Sequence, residues 1–172
     1  MKNNKKINLI LILLIPLVFV GLLVFNKDTP ITAGEKRILV EKSYSNYAWG
    51  YQYYGSAICS DGTIYTWDLS NGDYQMTSYD SLEDESFELI KSASPKITKV
   101  SKKDMERLKE AINNLNGYMS RKNVAMDAGS NTITVWNYTI DNTIVIKESG
   151  DYVGENESPE AQEIIRIVNK YL

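Results

Sequence analysis

The sequence contains no histidine. Histidine is the usual general base of Ser-His-Asp and Cys-His catalysis, the commonest metal ligand, and the side chain whose unperturbed pKa lies nearest neutrality. Its absence excludes those two catalytic arrangements. We therefore predict no cofactor and no metal site, and we assign no catalytic residue. If the protein is an enzyme, carboxylates or tyrosine are the groups that we expect it to use.

Cysteine is nearly absent as well, since Cys59 is the only one. A lone cysteine cannot form an intramolecular disulfide, so the folded domain must depend on its hydrophobic core. Roughly 135 residues are enough to build one. Two interpretations of Cys59 stay open. We favour a small, buried, inert strand residue over a thiol that links two copies by oxidation.

Positive charge is scarce beyond the N-terminus. The chain has 19 Lys and Arg against 22 Asp and Glu, and three of the lysines precede residue 27. Without those three, residues 27–172 hold 16 basic and 22 acidic residues, a net charge of −6. They form no basic patch or stripe of the kind that binding to phosphates requires. We predict no nucleic-acid partner.

The N-terminus consists of a long apolar run. Three lysines precede residues 7–25, which begin with Ile7, end with Phe25 and contain Asn8 as the only polar side chain. A helix of 19 residues is about 28 Å long, close to the roughly 30 Å of a bilayer's hydrocarbon core. The positive-inside rule places the lysines in the cytoplasm and residues 27–172 outside. The run predicts a single-pass signal anchor in the cell membrane.

A cleaved signal peptide is the alternative, and the protein would then be secreted. The apolar region of such a peptide spans about 7–15 residues and ends at small residues. The nearest small-residue site here is Thr32-Ala33-Gly34, and the apolar run is longer, so we favour the uncleaved anchor. The predicted organisation is an anchor or signal peptide at 1–26, a linker at 27–36 and an extracytoplasmic domain at 37–172.

Turn signals and β-branched runs predict a domain built from hairpins. Residues 37–42 are expected to form the first strand. Asp61-Gly62, a pair favoured by two-residue type I′ turns, is expected to join strands at 57–60 and 63–69. A second hairpin is expected to join 132–138 to 143–148 across Asp141-Asn142. We also predict a short strand at 87–91 and a loop at 150–158.

Two amphipathic helices complete the prediction. The first begins at Ser101, which has capping-box-like spacing to Asp104, and ends near Gly117. The second begins at Ser158, and Pro159 occupies its first helical position. The apolar stripe of the first helix comprises Met105, Leu108, Ile112 and Leu115. The predicted fold class is α+β, an antiparallel sheet built from hairpins with two helices packed on one face, preceded by a single N-terminal transmembrane helix.

An aromatic stretch supplies the candidate ligand-binding residues. Every second position carries a ring, at Tyr47, Trp49, Tyr51 and Tyr53. Alternate side chains of an extended strand share a face, so these rings are expected to form one row. Three interpretations stay open: core packing under a helix, a face that binds an envelope glycan, peptide or protein, and contact with the membrane interface.

Acidic residues form two groups, but neither has a metal-binding spacing. The positions are Glu83, Asp84, Glu85 and Glu88, then Glu148, Asp151, Glu155 and Glu157. The chain has no EF-hand pattern. Two carboxylates can serve a glycosidase, but the sequence does not fix the separation of any pair. A solvated acidic surface is therefore the favoured interpretation.

Several turn and cap sequences resemble those of uncharacterised small membrane-anchored or exported proteins of Gram-positive bacteria. The similar segments are residues 60–65, 127–129 and 150–161. The resemblance implies a location outside the membrane and an α+β domain, and it assigns no active site. We predict a membrane-anchored extracytoplasmic binding module in the cell envelope. The alternative is a small envelope hydrolase that uses carboxylates.

Overall fold

A computed structural model of the chain describes residues 36–48, 50–70, 80–117 and 119–172. The predicted anchor, nearly all of the linker, and Trp49 lie outside these residues. Within the described ranges, no helix has both the length and the apolar character needed to cross a membrane.

The described residues form an α+β domain around one antiparallel sheet, which confirms that part of the predicted fold class. Eight strands lie in the order β4-β3-β2-β1-β6-β7-β8-β5. The strands are β1 (Ile38–Asn46), β2 (Gln52–Cys59), β3 (Thr63–Asp68), β4 (Ser94–Lys99), β5 (Lys122–Asn123), β6 (Ser130–Asn137), β7 (Asn142–Gly150) and β8 (Tyr152–Glu155). The helices are α1 (Leu82–Lys91), α2 (Lys102–Asn114) and α3 (Pro159–Tyr171).

Both faces of the sheet carry a hydrophobic cluster. On one face, α2 and α3 pack over alternate strand residues such as Val40, Ile58 and Ile146. On the other face, α1 packs over the intervening residues, including Ala57 and Cys59. The expectation of helices on one face only is therefore incomplete, because α1 covers part of the second face.

Helix α1 corrects the prediction of a strand at 87–91. Ser81 caps it by accepting a hydrogen bond from the Asp84 amide at 3.2 Å. The first turn carries three acidic residues, which suit the positive end of a helix. Leu82, Ser86 and Leu89 form its buried side. Because Ser86 is polar, the sequence lacks the regular apolar spacing that would indicate a helix here. The buried Ser86 hydroxyl accepts a hydrogen bond from the Ile38 amide at 2.9 Å.

Both predicted hairpins are present, β2 with β3 and β6 with β7. The first turn differs in type from the prediction. Type I′ requires a positive φ at both central residues, but only Gly62 has one here, at +77°. The turn therefore has three residues and ends on a left-handed glycine. The predicted loop at 150–158 is also partly wrong, because β8 lies within it and pairs with β7.

Helices α2 and α3 begin at the predicted caps. Ser101 accepts from the Asp104 amide and Ser158 from the Ala161 amide, each at 3.2 Å. Cys59 is fully buried, as predicted, and burial raises the pKa of its thiol to about 12. That pKa keeps the sulfur protonated and unreactive at neutral pH.

Asp104 joins α2 to α3. Lys170 Nζ and the Tyr171 hydroxyl each donate to its Oδ2 at 2.7 Å. These hydrogen bonds, that of Lys170 first, hold the pKa of the Asp104 carboxyl well below its ordinary 3.8. A lowered folded-state pKa stabilises the fold above the unfolded-state value, and the stabilisation is lost as the pH falls through the folded value.

We therefore expect Asp104→Asn to lower the melting temperature at pH 6, with a difference from the wild type that shrinks as the pH falls below 3.8. Thermal unfolding of the wild type and the variant, followed by circular dichroism from pH 6 to pH 2, measures the two melting temperatures and their difference. Asp80→Asn, at an exposed position before α1, is the control. A difference that stays constant over the whole range would contradict the assignment.

Candidate ligand-binding site

The four predicted site residues do not belong to one strand. Strand β1 ends at Asn46 and β2 begins at Gln52, so Tyr47 and Tyr51 lie in the connection between them. Tyr53 lies in β2, opposite Ser45. Trp49 is outside the described residues. The premise of a continuous extended strand is wrong, because the chain reverses within the aromatic stretch.

Chain reversal nevertheless brings the described rings together. Ring centroids are 5.4 Å apart between Tyr47 and Tyr51, 6.3 Å between Tyr51 and Tyr53, and 5.8 Å between Tyr53 and Trp67. We call these four residues the ring row. Tyr47 is 63% exposed and Trp67 only 5%. The row therefore runs from solvent into the hydrophobic cluster under α1, and its inner end is core.

Tyr51 is the middle of the row and stays neutral. Burial, and then the neighbouring Tyr47, raise the pKa of its phenol to about 12. The hydroxyl therefore keeps its proton at physiological pH and is able both to donate and to accept a hydrogen bond. The half-buried ring next to an exposed one suits a ligand with an apolar face and hydroxyl edges.

Trp67 was not among the predicted site residues, and strand pairing brings it to the row. Gly55 pairs with Trp67 on β3 and with Ser43 on β1. A Cβ at Gly55 would lie 2.8 Å from Cζ2 of the indole, so the glycine makes room for that ring. The indole Nε1 is buried, and among the described residues it has no hydrogen-bond partner.

Next to this ring, polar side chains follow one another across the neighbouring strands of the sheet. Ser43 Oγ lies 3.2 Å from Thr132 Oγ1, and Thr132 pairs with Glu148 on β7. Glu148 is 4% exposed, and its Oε1 accepts from Ser130 at 3.0 Å. Arg121 Nε lies 2.8 Å from the other carboxylate oxygen. The ring row and these polar side chains lie on the same face of the sheet.

Glu41 is a buried carboxyl on this face, and it was not among the residues that the sequence singled out. Its carboxyl accepts from Ser43 Oγ at 3.0 Å and from Trp136 Nε1 at 3.2 Å. Burial raises the pKa of Glu41 to about 7, while those two hydrogen bonds act in the opposite direction. The available signal was a lone acid after the apolar residues Ile38, Leu39 and Val40.

The predicted acidic groups do not assemble into a cation site. The first group lies in α1, and the second is spread over β7, β8 and the residues beside them. Several members form ion pairs, such as Glu83 with Arg37 at 2.7 Å. No set of three Asp, Glu or Cys side chains in the described parts of the chain is placed to hold a metal ion. Both carboxylates buried in the sheet face, Glu41 and Glu148, are already engaged by neighbouring side chains.

Comparison with known proteins adds no relative. A scan against family models finds none that matches, and searches of curated proteins and of solved structures find no match either.

Proposed function

We propose that this chain is a binding module of the cell envelope, held at the membrane by residues 7–25 with its domain outside. The ring row is the proposed ligand site, and an envelope glycan is the proposed ligand. One observation carries this proposal: three successive ring contacts lead from the exposed Tyr47 to Trp67. Sugar rings have an apolar face that stacks on aromatic rings, and hydroxyl edges that bond to groups such as the Tyr51 phenol.

The hydrolase alternative has weaker support. Glycoside hydrolysis needs two carboxyl groups that flank a substrate, with one free to donate a proton and one free to attack or activate water. Glu41 is held by Ser43 and Trp136, and Glu148 by Ser130 and Arg121. A binding role, unlike hydrolysis, does not require either carboxylate to be free.

We expect Tyr47→Ala to weaken glycan binding about tenfold or more, with little change in melting temperature, because this ring is mostly exposed. The probe is a soluble hexamer of N-acetylglucosamine, titrated into the full chain in detergent micelles. Tryptophan fluorescence and calorimetry both report binding, and Trp67 lies at the inner end of the row.

Tyr54→Ala is the matched control. Tyr54 is 45% exposed and follows Tyr53 in β2, so its ring lies on the opposite face, where it stacks on Tyr44. The control should bind the hexamer as the wild type does. Equal binding by both variants, or no binding by the wild type at millimolar hexamer, would contradict the proposal.

A further inference from the structure

Strand β7 extends further than its outer neighbour. On its inner edge it pairs with β6 from Asn142 to Gly150. On its outer edge β8 pairs only with Lys147 and Glu148. Asn156 then donates its amide to the Ile146 carbonyl at 2.8 Å, and the chain leaves the sheet for α3. Across the residues that the structure describes, no strand pairs with the outer edge of residues 142–145.

A cavity of about 480 Å³ lies beside this unpaired edge. Residues 142–145 of β7 form one wall, and the connection from α2 to β5, with Leu115, Asn116 and Met119, forms the other. The volume lies within the range of about 300–1,000 Å³ that is usual for small-ligand sites. An open strand edge therefore forms one side of an existing cavity.

The buried Asn156 holds the two walls together at one end. Besides its amide contact to β7, its Nδ2 donates to the carbonyls of Asn116 at 3.5 Å and Gly117 at 3.3 Å. Gly154 of β8 lies against the same connection, where an added Cβ would collide with the Ser120 carbonyl oxygen. The cavity is thus closed where β8 ends, and it continues along β7 toward Asn142.

The chemistry of the lining is neutral. Arg121 is its only charged residue, and Glu148 already pairs with that guanidinium at 2.8 Å. The remaining lining residues are apolar or carry amides and hydroxyls. A charged ligand would find no free counter-charge here, whereas a peptide backbone would find a strand edge with no partner strand among the described residues. The Thr143 N–H donates to the side chain of its neighbour, Asn142 Oδ1, at 2.8 Å.

We propose that residues 142–145 receive an extended, uncharged peptide segment of another protein as an additional strand, with one apolar side chain inserted between β7 and the α2–β5 connection. Backbone hydrogen bonds supply the affinity in this mode, and the side-chain pocket supplies the selectivity. The site is separate from the ring row, and it does not depend on the proposed glycan.

The test uses two probes and the full chain in detergent micelles. One probe is a capped heptapeptide of alternating threonine and leucine. The other is the same peptide with alternate backbone nitrogens methylated, which removes the donors that strand addition needs. We expect the first to slow hydrogen–deuterium exchange in residues 142–146, and the second to bind about tenfold or more weakly.

Protein variants locate the site. Asn116→Trp places a large ring in the cavity and should weaken binding of the unmethylated peptide at least about tenfold. Asn114→Trp, at an exposed position outside the cavity lining, should not. Tyr47→Ala should leave peptide binding unchanged, which separates this proposal from that of the ring row.

Three results would overturn the proposal. The first is equal binding of the two probes, and the second is exchange protection away from residues 142–146. The third is a concentration-dependent dimer, seen by sedimentation, that Asn116→Trp dissociates. The dimer would assign the edge to a second copy of this chain.

Discussion

Glu41→Gln is expected to stabilise the domain by about 2–3 kcal/mol at pH 8 and to change its stability little at pH 4. In the folded protein the pKa of this carboxyl is raised from its ordinary 4.5 to about 7, chiefly by burial. Between those two values the unfolded chain has lost the proton and the folded chain has kept it. Folding is therefore penalised as the pH rises.

The sign follows from proton linkage. A raised folded-state pKa gives a contribution that is fully present below the unfolded value of 4.5, declines as the pH rises above it, and is lost once the pH passes about 7. Glutamine has nearly the same shape and keeps one oxygen to accept from Trp136 Nε1, but it does not titrate. Its advantage should therefore be small below pH 4.5, grow as the pH rises to about 7, and keep its full size above that pH.

Urea unfolding of the two proteins at pH 4, 6 and 8 measures the effect. Glu110→Gln, at an exposed position of α2, is the control and should show no such pH dependence. Trp136→Phe removes a hydrogen bond that lowers the pKa of Glu41. In that variant, the loss of stability caused by ionisation of Glu41 should therefore occur at higher pH. An advantage of Glu41→Gln that is the same at pH 4 and pH 8 would contradict the assignment.

The parts of the fold that the sequence predicted are those with local causes. The helix starts at Ser101 and Ser158 were predictable because a cap depends on residues within one turn. The two hairpins followed from β-branched runs around short turns. The type of the first turn was not predictable, because the backbone torsion of Asp61 depends on how the two strands are paired.

The missed features depend on partners that are distant in the sequence. Helix α1 places Ser86 in its buried stripe because the Ile38 amide needs an acceptor there. Glu41 is tolerated in the sheet face because Trp136, 95 residues later, donates to it. Hydrophobic periodicity predicts neither hydrogen bond, since each joins residues that meet only in the folded domain.

The candidate site combines both cases. The alternation of aromatic residues correctly drew attention to Tyr47, Tyr51 and Tyr53, whose rings do adjoin. The expected straight strand is wrong, because a reversal of the chain between β1 and β2 brings Tyr47 to Tyr51. Trp67 joined the row through β2–β3 pairing, which the turn at Gly62 predicted in outline but not in register. A ligand-binding role for these rings stays a prediction.

Gly55→Ala is expected to destabilise the domain by about 2–3 kcal/mol, because this glycine makes room for close packing. Its added Cβ would lie 2.7 Å from the Lys42 carbonyl oxygen and 2.8 Å from Cζ2 of Trp67. The first neighbour is backbone within a paired strand, and the second is a buried ring that anchors the ring row. Strand pairing with Ser56 fixes the Lys42 backbone, and the indole is only 5% exposed.

Gly50→Ala separates this cause from backbone strain. Gly50 has a φ of +102°, but a Cβ there would meet no atom within 4 Å outside its two chain neighbours, so alanine should cost only the backbone strain of about 1–2 kcal/mol. Urea unfolding of both variants at pH 6 gives the comparison. Displacement of Trp67 by Gly55→Ala should also change tryptophan emission before unfolding and weaken binding at the ring row, although Tyr47 remains intact. If Gly55→Ala costs no more than Gly50→Ala, the indole does not lie against Gly55, and the inner end of the row must be placed elsewhere.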